Sequence, residues 1–384
     1  MKILIVTFSS EINGGANRSL LSVIKGLKEK NHDIKVIVPR KTGKFNDELT
    51  KENIPWSYCK YYRMGARPFK GIGKIISKLI VYAKFVQQLF ASKKLLRIIK
   101  KERYDVIYTN TILPYLGLFA AKKKNIPSVM HDREQLDGTT VHQIKNYEKF
   151  LYNHNNKIIV ISSDLKRQWE RRGFNEKISL VLNGIPIEKV KKSKQLIKDN
   201  FNLLLTARIT SGKHQIDALK ALKILKDKGI ENIKLFFAGT ELENRDFEYK
   251  KLLENFIKNN SLEKNVEFLG EIDDISKFRE KMNVELMCNP TEPFGRVTVE
   301  GMRSGLIVIG VNAGGTQDII INDVNGLLYE KNNILDLAEK IEKVYLDNEY
   351  RLRLADKAYK YSQNHFTVEE NVNNIEKVLL DVIN

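Results

Sequence analysis

Two carboxylates, Glu292 and Glu300, stand eight positions apart in TEPFGRVTVEGM, on either side of a Phe294-Gly295 turn. The apolar run VELMCNP precedes them and a helical pattern follows. A helix beginning near Gly295 would turn the backbone N–H groups of Arg296, Val297 and Thr298 toward a ligand and add about half a positive charge from its dipole. That is an anion site suited to a diphosphate. A carboxylate is a strong acceptor, well matched to paired hydroxyls. One acid on each side of a phosphate site therefore suits a ligand ordered as sugar, diphosphate, ribose. The alternative is that Glu292 caps the helix and Glu300 is solvated, and these residues alone weigh the two equally.

Other residues could serve the same ligand. TARITSGKHQ places Arg208 and Lys213 just after a strand, where each charge-assisted bond to a phosphate would contribute roughly 1.5–3 kcal/mol. Among 65 basic residues that signal is weak by itself. Gly314-Gly315 in NAGGTQDII and Gly14-Gly15 in GGANRSLL are turns that would let backbone approach a ligand. His131 follows a strand in VMHDREQ, where a histidine is more often structural.

These residues need elements that hold them at strand ends. KILIVTF (2–8), DIKVIVP (33–39), DVIYTN (105–110), SVMHD (128–132), KIIVIS (157–162) and SLVLNG (179–184) are short Val/Ile-rich runs separated by helical patterns. They imply a parallel sheet covered on both faces. The pattern breaks near Pro186, and KVKKSKQLIKDN (189–200) reads as a linker. It restarts with FNLLLTAR, the helix HQIDALKALKILKDKG, IKLFFAG, VEFLG, VELMCNP and LIVIGVN. The expectation is an α/β chain of two Rossmann-like, doubly wound domains, 1–186 and 187–365, facing a central cleft. Ligands would sit at the C-terminal strand ends. The final helix, about Val368 to Ile383, is left to pack on either domain.

With 384 residues, 42% hydrophobic and 29% charged, the composition is that of a globular protein with real cores. There is no uninterrupted apolar run of about 18 residues, and MKILIVTFSSEINGG reads as a strand and polar loop rather than a signal peptide. Cys59 and Cys288 are far apart, which argues against a disulfide framework and fits a reducing cytoplasm. The net charge of +18 asks for an anionic partner. From Lys60 to Lys101 there are twelve Lys or Arg and no Asp or Glu. Ile72, Ile75, Ile76, Leu79, Ile80, Ala83, Val86, Leu89 and Phe90 follow helical spacing there, with Lys70, Lys74 and Lys78 as a basic stripe. Such a helix suits an anionic membrane surface; an ordinary helix with a solvated basic face is the alternative. Nucleic acid fits less well, because zinc-finger spacing and ribonucleoprotein aromatics are missing.

Taken together, EPFGRVTVE followed by GMRSGLIVIG and NAGGTQDII, the pair Arg208 and Lys213, NGI (183–185) and GGANRSLL resemble the retaining glycosyltransferases of group one, family four, which have the GT-B fold. The resemblance covers nearly the whole chain. It implies that Glu292 binds hydroxyls of the donor sugar, Glu300 the ribose, and Arg208 and Lys213 the leaving diphosphate. Backbone amides at 294–298, in Phe294, Gly295, Arg296, Val297 and Thr298, would hold the sugar and phosphates. Gly239 and Gly270 would let the base approach, Gly14 and Gly15 would approach the donor from the first domain, and His131 would lie near the reacting sugar. The resemblance implies that no metal and no cofactor is needed; the nucleotide-sugar, expected to be a UDP-sugar with a GDP-sugar as the alternative, is a substrate.

The expected activity is hexosyl transfer to a lipid-linked or growing glycan acceptor, in surface polysaccharide or glycoconjugate synthesis, at the inner face of the membrane. Acceptor choice would lie in Asn13–Arg18, Tyr61–Pro68 and Gln135–His142. His214, Gly301, Asp318 and Pro186 depart from the residues common at those positions. A non-catalytic glycan-binding or chaperone-like partner and a nucleotide-sugar epimerase are the alternatives; the first should lack the acids and the Arg/Lys pair that this chain keeps.

Overall fold

Two all-parallel sheets carry the chain. The structure is a computed structural model that describes residues 1–12, 14–62, 73–135, 146–187, 200–241 and 246–384. Asn13, most of Tyr61–Pro68 and Gln135–His142, the 189–199 linker, Lys70 and Ile72, and the side chain of Lys74 lie outside those residues.

The first sheet has seven strands: β1 (Lys2–Val6), β2 (Asp33–Val38), β3 (Trp56–Tyr58), β4 (Val106–Asn110), β5 (Ser128–Asp132), β6 (Lys157–Val160) and β7 (Ile178–Leu180). Their spatial order is β3-β2-β1-β4-β5-β6-β7. Around it lie α1 (Gly15–Glu29), α2 (Lys44–Lys51), α3 (Gly73–Lys101), α4 (Leu116–Lys124), α5 (Tyr147–His154) and α6 (Ser163–Glu170). The second sheet has six strands: β8 (Phe201–Thr206), β9 (Ile233–Ala238), β10 (Val266–Gly270), β11 (Val284–Met287), β12 (Ile307–Val311) and β13 (Leu327–Tyr329). Their order is β10-β9-β8-β11-β12-β13. Its helices are α7 (Gln215–Asp227), α8 (Phe247–Asn259), α9 (Ile275–Arg279), α10 (Arg296–Arg303), α11 (Ile334–Leu346) and α12 (Asn348–Asn364).

In both sheets the strand order reverses between the first and fourth strands, and open α/β sheets bind ligands at the C-terminal ends beside such a reversal. In the first sheet those ends lead to Gly14 and Asn110; in the second they lead to Arg208–Lys213 and to Glu292. The edge strands β3 and β13 were not among the sequence expectations. Each has three residues, too few for a period to show.

The chain divides into two units, Met1–Pro186 with Thr367–Asn384, and Ile187–Phe366. The last helix, α13 (Val368–Asp381), belongs to the first. Its Val372, Ile375, Val378 and Leu379 join Leu20, Val23, Ile24 and Leu27 of α1 in one core, a spacing that puts them on one helix face. Glu376 holds the same seam with His32 Nε2 at 2.6 Å and Lys30 Nζ at 2.8 Å. Cys59 and Cys288 are both buried and unbridged.

Helix α3 departs from ordinary amphipathic packing. Its inward face is Ser77, Val81, Gln88, Ala91, Ser92, Leu95 and Ile99. Gln88 Oε1 accepts from the N–H groups of Tyr115 at 2.7 Å and Leu116 at 3.2 Å, where α4 begins. Ile75, Ile76, Leu79, Ile80, Tyr82, Val86 and Phe90 are exposed. The apolar stripe of the sequence is thus not the side that packs on the sheet. No helix among the described residues is long and apolar enough to cross a membrane.

Candidate active site

In the second unit the site grows from the loop between β11 and α10. Asn289 folds that loop: its Oδ1 accepts from the N–H and hydroxyl of Thr291, each at 3.0 Å. Its Nδ2 donates to Glu292 Oε2 at 2.7 Å. The same oxygen lies 2.6 Å from Lys213 Nζ. Burial pushes the Glu292 carboxyl up, but Lys213, Asn289 and the charge of Arg208 together hold it below the usual carboxylate value. Glu292 is therefore an anion bound to a cation from the neighbouring loop.

Helix α10 begins at Gly295, whose φ of 106° is a left-handed conformation that favours glycine. No side chain caps this helix, so Glu292 is not its cap. The Thr298 N–H donates to Gly295 O at 3.0 Å, so of the three amides expected to face a ligand this one is turned back into the first turn of the helix. The Thr298 hydroxyl is buried without a hydrogen-bond partner among the described residues. Phe294 is buried and packs edge-on to Phe366 at 5.9 Å, leaving its backbone, not its ring, for a ligand.

Gly314-Gly315 packs against the Glu292 loop. The Gly315 N–H donates to Glu292 O at 2.8 Å. A Cβ on Gly314 would lie 2.6 Å from Glu292 O, and one on Gly315 would lie 2.5 Å from Phe294 Cα. These glycines let a second turn press against the Glu292 loop. Gly239 is tightly placed in the same way: its N–H donates to Gly270 O at 2.7 Å, and a Cβ there would sit 2.1 Å from Ala207 O. Its small size serves the strand end that carries Arg208. Gly270, at φ 69°, has nothing within 4 Å of its Cβ position.

Arg208 is exposed, and its carbonyl accepts from Gln215 Nε2 at 2.8 Å. Lys213 ends the short turn Ser211–Lys213. His214 follows at φ 55°, a left-handed position that glycine adopts without steric cost. Its Nδ1 lies 3.0 Å from Asp217 Oδ2.

Glu300 is not simply solvated. Its oxygens lie 3.6 Å from Arg279 Nη2 and 3.6 Å from Arg296 Nη2. Arg279 is buried and donates through Nε to the buried Glu285 Oε2 at 2.8 Å. Burial pulls its guanidinium down, but Glu285 and Glu300 outweigh that and raise it. A Cβ on Gly301 would lie 3.1 Å from Glu285 Cβ, so this departure makes room for the buried pair.

In the first unit Gly14 and Gly15 open α1. Asn17 clamps the loop before them: Nδ2 donates to Ser9 O at 3.0 Å and Glu11 O at 2.7 Å, and Oδ1 accepts from the Thr7 hydroxyl at 2.9 Å. His131 is wholly buried in β5. Its Nδ1 meets the Tyr108 hydroxyl and lies 3.2 Å from Arg133 Nη2. Burial and the Arg133 charge hold the imidazole well below its ordinary pKa. Among the described residues no group of three or more His, Cys, Asp or Glu is placed to hold a metal ion.

The sequence pattern described as "Glycosyl transferases group 1" matches residues 186–361, and that described as "Glycosyltransferase Family 4" matches residues 13–189. The chain belongs to this glycosyltransferase family. An uncharacterized glycosyltransferase of Methanocaldococcus jannaschii is 27% identical over 390 residues, covering 98% of this chain and 97% of its own. The capsular polysaccharide biosynthesis glycosyltransferase CapM of Staphylococcus aureus is 29% identical over 225 residues, 55% of this chain and 57% of its own. Among solved structures, Anabaena HepE in complex with UDP aligns with a TM-score of 0.83 at 23% identity, covering 99% of this chain and 100% of its own. The fold of this glycosyltransferase is GT-B, two Rossmann-like domains.

The structure brings Lys213 onto Glu292 and Arg296 toward Glu300, all within the second unit. His131, Gly14 and Gly15 lie in the first, without a mutual hydrogen bond among the described residues. Sequence reasoning on this glycosyltransferase missed Asn289, Arg279, Glu285, Asn110 and Arg133. Asn289 left one faint signal, an amide three positions before the acid. Arg279 and Glu285 had none, because their pairing depends on how α9 meets β11.

Proposed function

We propose that the chain transfers a hexosyl unit, with retention at the anomeric carbon, from a nucleotide-diphosphate sugar to a hydroxyl of a lipid-linked or growing glycan. A UDP-sugar is the proposed donor, in line with the UDP held by HepE. Surface polysaccharide or glycoconjugate synthesis is the proposed setting, in line with the name of CapM. The observation that carries the proposal is the Lys213–Glu292 pair, 2.6 Å apart beside the N-terminus of α10.

The pair is suited to a substrate that is charged at one end and hydroxylated at the other. Lys213 can release Glu292 to meet a diphosphate, with Arg208 beside it. Glu292 then turns acceptor lone pairs to sugar hydroxyls, and Asn289 still orients it. As the anomeric C–O bond to the diphosphate breaks, charge grows on the leaving oxygens, where Lys213, Arg208 and the mouth of α10 stabilise it. The acceptor oxygen bonds to the anomeric carbon and its proton passes to the departing phosphate. Catalysis is then orientation and electrostatics, with no metal required.

The proposed location is the inner membrane face, docked through α3. The exposed stripe Ile75, Ile76, Leu79 and Phe90 is apolar, and twelve cations and no acid lie between Lys60 and Lys101. Apolar insertion and attraction to anionic lipid, about 1 kcal/mol per cation, act together there. The test is turnover of a UDP-sugar with a polyprenyl-diphosphate glycan in vesicles, with the product's anomeric proton coupling measured. A product that keeps the donor's anomeric configuration, with a small H1–H2 coupling where the donor is an α-linked gluco- or galacto-type sugar, supports the proposal; an inverted product, with a large diaxial coupling, overturns retention.

A further inference from the structure

Two buried donors stand side by side at the C-terminal ends of β4 and β5. Asn110 is paired in register with His131, and both side chains are fully buried. Asn110 Nδ2 and His131 Nε2 have no hydrogen-bond partner among the described residues. Leaving a buried donor unpaired costs about 1–3 kcal/mol, so two together call for a reason.

The reason lies in Arg133, itself buried. Its Nε donates to Asn110 Oδ1 at 2.7 Å. Its Nη2 lies 3.2 Å from His131 Nδ1, and its Nη1 donates to Asn183 Oδ1, the asparagine of the NGI segment. A guanidinium can only donate. It therefore faces the oxygen of Asn110, turning that amide's NH₂ away, and it faces a bare Nδ1 on His131, which puts the ring proton on Nε2. The Tyr108 hydroxyl meets the same Nδ1. Asn183 in turn holds the guanidinium in place. The charged and titratable groups against the ring are thus Arg133 and Tyr108; the hydroxyl can donate or accept, so the guanidinium, which can only donate, is the group that decides the tautomer.

We propose that Arg133 is a positioning residue that fixes His131 and Asn110 as a pair of N–H donors turned away from its guanidinium, so that His131 serves the transfer as a neutral hydrogen-bond donor to a substrate oxygen and not as a base. The identity of that oxygen, a sugar or acceptor hydroxyl, rests on the transferase reading above. The fixed tautomer does not.

The test is nitrogen-15 NMR of the full chain labelled at histidine, with the His131 ring assigned through His131→Gln. The expected result is a ring protonated at Nε2, bare at Nδ1 and unchanged between about pH 5.5 and about pH 8.5, where an ordinary histidine titrates. Arg133→Lys, which still only donates, should keep that tautomer. Arg133→Met should let the ring exchange between tautomers or titrate. A wild-type ring protonated at Nδ1, or one that titrates in that range, overturns the proposal. So does an unchanged tautomer in a folded Arg133→Met. Should Arg133→Met not fold, the wild-type and Arg133→Lys spectra still decide. An enzyme shown to lack transferase activity would leave this result standing.

Discussion

Lys213 and Glu292 hold each other at 2.6 Å, so each is tested by removing it. On the proposed mechanism Lys213→Ala takes a cation from the leaving phosphate, and it also frees Glu292 from its partner. It should lower kcat/KM about 100-fold or more, while the midpoint of urea unfolding stays near wild type because the residue is partly exposed. A variant with full activity would remove Lys213 from the mechanism. Two other carboxyls have a different charge. Burial raises Asp132 to about 7, against the indole N–H of Trp169 and the Glu134 amide; burial and then Asp132 raise Glu134 to about 8. Both values lie above the unfolded carboxylate range. Their contribution to stability is complete below the unfolded carboxylate pKa, about 4, shrinks as pH rises from there, and is gone above the folded values of about 7 and about 8. The melting temperature of wild type should therefore fall between about pH 5 and about pH 8 more steeply than that of Glu134→Gln; parallel curves would contradict the assignment. At this scale the sequence shows residues whose spacing along the chain is itself the signal, Glu292 and Glu300 above all. Arg133, Asn110 and Arg279 act through partners on other strands and helices, and no spacing records that.

Helix α10 is seated by chemistry beneath it. Glu285 on β11 and Arg279 on α9 form a buried pair, 0% and 3% exposed, and Gly301 of α10 lies over Glu285. Glu285→Gln leaves a buried guanidinium with a weaker partner and should cost about 3 kcal/mol or more in urea unfolding. Glu300→Gln, half-buried and 3.6 Å from its cations, should cost less than about 1 kcal/mol. Comparable losses in the two would mean that Arg279 depends on Glu300 as much as on Glu285. The longer strands and the helix patterns that flank this site were legible because their periods of alternation and burial run over four or more residues. The end of α10 was less so: that Thr298 turns back onto Gly295, and that Gly314-Gly315 presses on the Glu292 loop, are consequences of packing. The same glycines could have served a ligand as well as a neighbouring loop.

At the scale of the molecule, the charge of +18 is concentrated where α3 also exposes apolar side chains. In the sequence the apolar stripe looked equally able to pack on the sheet, and only burial separates the two. Changing Ile76 and Leu79 together to Glu should reduce sedimentation with phosphatidylglycerol vesicles at least about tenfold. Binding by the wild type should weaken as salt rises past about 0.15 M. Equal sedimentation of variant and wild type would remove α3 from membrane contact. The path of the chain also returns at this scale: α13 leaves the second unit and packs on α1 of the first. The sequence offered a helix there without a choice of partner, because any apolar face fits either core until Glu376 is seen to meet Lys30 and His32.

The measurement that bears most directly on the whole account is acceptor-free hydrolysis of a panel of UDP-, GDP- and dTDP-sugars, with and without EDTA, by wild type, Glu292→Ala and Lys213→Ala, alongside calorimetric binding of each donor. The account predicts slow, EDTA-insensitive release of the nucleoside diphosphate from one donor, most readily a UDP-sugar, and its loss in both variants. Absence of hydrolysis together with absence of donor binding would contradict it.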